Sequence, residues 1–316
     1  MGGSRGTMGV IEIADSIKTM KVRGAGLIAR SAAEALKQQA LDYQGDDLGK
    51  LRKLLADGQR TLVDSRPTAI SLWNAVQATM RGTSGAESAA DLRDLVVKNA
   101  DSFVARSSRA VEVIGRIGSR RIRDGDTVLT HCNSKAALGV IKAAHADGKK
   151  IKVYATESRP WRQGLLTVRD LAAAGVPSTL IIDSAVRWIM KDIDVVVVGA
   201  DTVCSNGALI NKVGTSQVAL AAREARVPFI VCAETYKFSP KTMHGELVEI
   251  EERDASEVID PKLLPEGVGV RNPVFDATPP ELIDSIVTEI GLISPYAAYE
   301  VIVKEIGPDS LFETED

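Results

Sequence analysis

Apolar and polar positions along this chain follow two different periods, and the change falls near residue 122. From Val10 to about Arg121 apolar residues recur at helical spacing, as at Ala32, Ala35, Leu36, Ala40 and Leu41, in a background rich in Ala, Leu, Arg, Lys and Glu. This half reads as a helical domain over residues 8–122. Its expected breaks are the KVRGAG turn, the RPTA junction where Pro67 can open a helix, and the RGTSG loop.

Beyond Asp124 the chain turns to short β-branched runs, TVLTH, IKVYA, STLII, DVVVVGA and PFIVCA, separated by segments of helix length. Such alternation predicts a parallel sheet covered by helices. Val195 to Val198 are apolar at consecutive positions, as a strand buried on both faces requires. The predicted class is therefore α/β, an N-terminal helical domain followed by a Rossmann-like domain over residues 123–316 with a mainly parallel sheet. No GxGxxG follows the first run, so dinucleotide binding is not implied. LVEIEERD, NPVFDATPPELI and a terminal helix around Tyr296 to Ile306 are expected to complete the same domain, and no repeat or low-complexity tract interrupts it.

Composition narrows the function classes. With 316 residues, 45% hydrophobic and 26% charged, the chain can bury a full core. A formal charge of −3 argues against nucleic acid or an anionic membrane as partner and leaves room for local basic pockets that bind a small anion. No apolar stretch reaches the ~20 residues of a membrane helix, and the start MGGSRGTMGV has no signal core, so a cytoplasmic protein is expected. Met8 is a candidate start, with residues 1–7 a leader. Cys132, Cys204 and Cys232 have neither zinc spacing nor a disulfide framework, which implies reduced thiols and no metal.

Ligands of an open parallel sheet bind beyond the carboxyl ends of its strands. The first run ends in His131, Cys132, Asn133, Ser134 and Lys135 before an Ala-rich helix; the fourth ends in Gly199, Ala200 and Asp201. A cysteine at a helix start near Lys135 is expected to ionise more easily than a free one, which makes Cys132 a candidate base or nucleophile. A lone cysteine is more often a small buried filler. Asp201 reads either as a site carboxylate or as an N-cap. Arg23 with Gly24, Ala25 and Gly26 sets a guanidinium beside backbone amides that can approach an anion. Arg66, Lys212 and Lys237 add charge, and Pro67 and the turn Asn211, Lys212, Val213, Gly214 suggest anions at helix entrances. Any one of these cations is also an ordinary surface charge. Arg159 reads either as a ligand contact or as the partner of Glu157, and His131 as a packed strand-end residue facing away from Cys132.

Together KVRGAG, SRPTA, HCNSKAA, TESRPWRQG, VVVVGADTV, NGALINKVGT and AETYKF resemble the signature of archaeal ribose 1,5-bisphosphate isomerases, in that order across most of the chain. The wider family includes methylthioribose 1-phosphate isomerases and the regulatory α, β and δ subunits of translation initiation factor 2B. The resemblance implies Cys132 and Asp201 as catalytic pair, since the regulatory subunits generally lack it, and contacts to the sugar bisphosphate from Arg23, Gly24, Ala25, Gly26, Arg66, Ser134, Lys135, Asn211, Lys212 and Lys237. It also implies conversion of ribose 1,5-bisphosphate to ribulose 1,5-bisphosphate in nucleoside monophosphate degradation, by proton or hydride transfer. No cofactor, AMP as activator and a hexamer built from dimers are further expectations from the same source. The alternatives are a methylthioribose 1-phosphate isomerase and a non-catalytic regulatory subunit.

Overall fold

A computed structural model describes residues 9–22, 24–244 and 248–307, without the side chains of Met243 and His244. Met8, residues 1–7, Arg23 and the His244 side chain lie outside the described residues. The chain divides inside one long helix into two compact units, residues up to Arg109 and residues from Ala110.

The first unit is helical throughout, because its apolar positions recur at i, i+3, i+4 and i+7. Helix α1 (Val10–Lys18) buries Val10, Ile13, Ala14 and Ile17; α2 (Ala25–Asp42) buries Ala32, Ala35, Leu36 and Ala40 on one face. Leu41 falls outside that stripe and is exposed. Asp47 caps α3 (Leu48–Ser65) by accepting from the Lys50 amide at 3.0 Å, and Leu51, Leu55 and Leu62 line its inner face. The KVRGAG segment separates α1 from α2 as expected. Pro67 does not open the next helix: α4 (Ile70–Met80) starts three residues later, after a turn closed by the Ala69 amide on the Arg66 carbonyl. RGTSG forms a 3-10 turn before α5 (Ala89–Gly118).

In the second unit the five apolar runs become strands of one sheet. These are β1 (Thr127–Thr130), β2 (Lys152–Thr156), β3 (Ser178–Ile181), β4 (Val195–Val198) and β7 (Phe229–Cys232). They alternate with α6 (Lys135–Ala146), α7 (Gly164–Ala173), α8 (Val186–Ile189) and α9 (Thr215–Ala225). Strands β5 (Thr202–Cys204), β6 (Leu209–Lys212), β8 (Phe238–Ser239) and β9 (Phe275–Thr278) build a second sheet in the order β8-β5-β6-β9. With β10 (Ser285–Thr288) and β11 (Gly291–Ile293), the main sheet has the order β11-β10-β7-β4-β1-β2-β3, parallel except for β11. The expected terminal helix is short: α10 (Ala298–Val301) passes into a wider π turn over Ile302–Ile306.

Burial on both faces of the central strands is visible residue by residue. Val195 and Val197 pack in one apolar cluster with Val128, Val153 and Ile230; Val196 and Val198 pack in the other with Leu129, Phe229 and Val231. The edge strands depart, Leu180 of β3 and Leu292 of β11 being exposed. Among the described residues no helix is long and apolar enough to cross a membrane, and no cluster of His, Cys, Asp or Glu could hold a metal ion.

Candidate functional site

The strand order places a topological switch at the centre of the sheet. The chain leaves β1 toward β2 on one side and leaves β4 toward β7 on the other, and such a reversal opens a crevice beyond the carboxyl ends of the two strands. Cys132 follows β1 by two residues and Asp201 follows β4 by three, so both candidates belong to the rim of this crevice. Gly199 makes the strands' close approach possible: a Cβ there would lie 2.3 Å from both Cβ and Oγ of Ser134. Ser134 itself caps α6, accepting from the Ala137 amide at 3.3 Å, and Lys135 begins that helix with its side chain exposed.

Cys132 adopts φ 69, a left-handed conformation costing a non-glycine residue about 1–3 kcal/mol. Its main chain is held on both sides. The amide donates to Ser158 Oγ at 2.8 Å, and the carbonyl accepts from Thr167 Oγ1 at 2.7 Å. Ser158 and Arg162, in the facing TESRPWRQG loop, share the left-handed conformation, so three of the five such residues described gather at this strand end. The loop is anchored by Asp183, whose carboxylate accepts from the Ser158 and Arg159 amides, each at 2.8 Å.

The thiol does not ionise readily, contrary to the helix-start expectation. Burial pushes Cys132 up to about 12; the Lys212 charge pulls it back only in part, and Asp201 raises it further. The S–H donates to Gln163 Oε1 at 3.4 Å, the arrangement of a neutral thiol. Gln163 is a site residue that the sequence reading passed over; its position three residues after Pro160 carries no signal of its own until α7 folds back toward β1.

Lys212 sits only 7% exposed at the end of β6, with its ammonium 5.3 Å from the Phe275 ring centre and no carboxylate within ion-pairing distance among the described residues. Burial draws it below the ordinary lysine value, while Cys132 and Asp201 push it back up. Thiol, carboxylate and ammonium thus lie close enough for their charges to act on one another. Its neighbour Asn211 is buried and donates to Thr215 Oγ1 at 3.0 Å. Lys237 differs, because it forms a buried ion pair with Glu234 at 2.7 Å. Burial pushes the Glu234 carboxyl up, but the Lys237 ammonium and the Tyr236 hydroxyl hold it below the usual carboxylate range.

Two expectations change. The α9 entrance after Gly214 is filled by the chain's own anion, since Asp276 accepts from Gly214 N at 2.7 Å, Ser216 N at 3.2 Å and Ser216 Oγ at 2.8 Å. Arg159 does not pair with Glu157: Arg162 does so at 3.0 Å, while Arg159 donates to the Val258 carbonyl at 2.8 Å. His131 is buried as expected, between Thr156 and the Val213 carbonyl, and burial lowers its affinity for a second proton. Cys204 and Cys232 are buried free thiols. In the helical unit, Gly24 at φ 88 precedes α2, whose first turn contains Ala25 and Gly26 and has neither a side-chain cap nor an acidic residue. Arg66 follows α3, with its guanidinium 4.0 Å from Met20 Sδ.

Among known proteins, the chain is 54% identical to the ribose 1,5-bisphosphate isomerase of Archaeoglobus fulgidus, over 97% of this chain and 96% of that one. It is 38% identical to the methylthioribose-1-phosphate isomerase of Thermosipho africanus, over 93% and 89%. In three dimensions it resembles the crystal structure of translation initiation factor eIF-2B from Pyrococcus horikoshii OT3, with a TM-score of 0.77 and 31% identity over 90% of this chain and 97% of the other. The model of the initiation factor 2 subunit family matches residues 21–295, and with that span covered the chain belongs to this family.

Proposed function

We propose that the protein is an isomerase that converts ribose 1,5-bisphosphate to ribulose 1,5-bisphosphate, with Cys132 and Asp201 as its acid/base pair. The observation that carries this reading is the presence of a thiol and a carboxylate at the switch of the sheet, both acting on a buried ammonium, Lys212, that forms no direct ion pair among the described residues. A cation held that way is suited to a phosphate. Full-length likeness to isomerases of this name supports the same substrate.

The proton-transfer route uses both groups twice. Cys132, as thiolate, takes the proton from carbon 2 while the bond from carbon 1 to the ring oxygen breaks and protonated Asp201 gives its proton to that oxygen. Cys132 then returns a proton to carbon 1, and Asp201 takes the proton of the carbon 2 hydroxyl to leave the ketone. The net change is an isomerisation, with both phosphates retained. The two groups favour each other's active form: a proton on Asp201 removes the negative charge that opposes the Cys132 thiolate. Arg23, Gly24, Ala25, Gly26, Arg66, Ser134, Lys135, Asn211, Lys212 and Lys237 are proposed to hold the two phosphates and the sugar, which supplies binding energy away from the reacting carbons.

Assay of ribose 1,5-bisphosphate and methylthioribose 1-phosphate side by side tests the substrate. Turnover of the second with none of the first sinks the assignment. Cys132→Ser and Asp201→Asn are each expected to lower kcat at least ~10²-fold with the fold retained, and full activity in either removes the pair. Deuterium on carbon 1 of the product after turnover in heavy water would establish proton transfer and rule out direct hydride transfer from carbon 2. A hexamer built from dimers and activation by AMP are proposed from the family resemblance, to be checked by native mass measurement and by activity with and without AMP.

A further inference from the structure

A buried line of hydroxyl groups runs from the Cys132 backbone to the turn that carries Lys212. The Cys132 amide lies 2.8 Å from Ser158 Oγ, and the Ser158 and Thr156 hydroxyls are 3.1 Å apart. Thr156 Oγ1 lies 2.6 Å from His131 Nδ1, and His131 Nε2 lies 2.9 Å from the Val213 carbonyl oxygen. A carbonyl only accepts, so in the neutral ring Nε2 carries the proton and Nδ1 is an acceptor. Thr156 therefore donates to His131, which leaves its oxygen to accept from Ser158, and the Ser158 oxygen to accept from the Cys132 amide. Each link then has one donor and one acceptor, and the Thr156 carbonyl, 3.4 Å from Ser158 Oγ, is a second acceptor for the Ser158 hydroxyl.

Both ends of this line belong to candidate site turns. One end fixes Cys132 at φ 69; the other fixes Val213, between Lys212 and Gly214. Gly214 has φ 102, and a Cβ there would come within 3.1 Å of the His131 ring, so this turn is shaped to receive the imidazole. His131, Thr156 and Ser158 are all buried, and none of the three is placed to touch a substrate by a free polar group.

We propose that His131, Thr156 and Ser158 are positioning residues that lock the Cys132 turn and the Lys212 turn into one register, so that thiol and ammonium meet the same substrate. The kinetic half of its test rests on the isomerase reading; the exchange half does not.

Three variants separate positioning from bulk. Thr156→Val removes the hydroxyl and keeps the shape, Thr156→Ser keeps the hydroxyl, and Ser158→Ala removes the acceptor of the Cys132 amide. Thr156→Val and Ser158→Ala are expected to lower kcat by ~10- to 100-fold with KM within about threefold, the signature of misplacement by a fraction of an ångström. Thr156→Ser should recover kcat to within about threefold of the parent. In Ser158→Ala, hydrogen exchange of the Cys132 amide should quicken at least about tenfold. If Thr156→Val does not fold, Ser158→Ala carries the kinetic comparison. Unchanged kcat in the hydroxyl-free variants, or an equal loss in Thr156→Ser, overturns the proposal. If the parent protein fails to turn over ribose 1,5-bisphosphate, the functional reading falls by itself. Unchanged Cys132 amide exchange in Ser158→Ala then overturns the positioning role too.

Discussion

At the scale of single residues, Cys132 is decided by competition between burial and its neighbours. Its place before a helix suggests an easily ionised thiol, yet burial dominates and the group stands up to about 12. At pH 8 only a small fraction of molecules then carries the thiolate. Alkylation of Cys132 by iodoacetamide should accordingly rise about tenfold per pH unit from pH 7 to 10 without levelling; a plateau by pH 9 would show an ordinary thiol. The neighbours act with opposite signs. Asp201→Asn removes a charge that opposes ionisation and should speed alkylation at pH 8, whereas Lys212→Met removes one that favours it and should slow it, each by roughly two- to tenfold. The placement of Cys132 and Asp201 beyond strand ends of the parallel sheet was legible in the sequence, because the apolar runs mark where those strands stop. The ionisation of the thiol was not, because burial depends on packing that only the folded chain provides.

At the scale of elements, the main sheet follows from the apolar runs. Five consecutive β-branched segments at helix-length spacing had one economical solution, and β1, β2, β3, β4 and β7 realise it. The small second sheet was hidden, since β5, β6 and β8 are two to four residues long and β9 joins from more than 60 residues away. That remote strand also supplies Asp276, which is why the α9 entrance looks open in the sequence and is capped in the fold. Asp276→Ala leaves the Gly214 and Ser216 amides without their acceptor and should cost about 1–3 kcal/mol in urea unfolding; Asp276→Asn, still an acceptor, should cost less. Burial raises the Asp276 carboxyl, so its proton is held more tightly in the folded chain. That contribution is present below the unfolded carboxyl value and is lost as pH rises through the folded one. Relative to Asp276→Asn, the parent should therefore lose stability across that rise; a gain would contradict the burial argument.

At the scale of the whole molecule, 39 Lys and Arg face 42 Asp and Glu, and a bisphosphate ligand is itself strongly anionic. A net charge of −3 cannot draw such a ligand in from a distance, so affinity must come from cations used locally. Among those in the second unit, Lys237 is already neutralised by Glu234, while Lys212 is buried and carries no such partner among the described residues. Salt distinguishes the two ways of binding an anion. At ~0.1 M the screening length is about 10 Å, enough to suppress long-range attraction but not a direct bond to a desolvated ammonium. The expected outcome is that kcat/KM for ribose 1,5-bisphosphate changes by less than about threefold between ~50 and ~500 mM sodium chloride. A steep decline of tenfold or more would mean that exposed cations such as Lys135 dominate recognition, and that the buried ammonium is not the principal anchor of a phosphate.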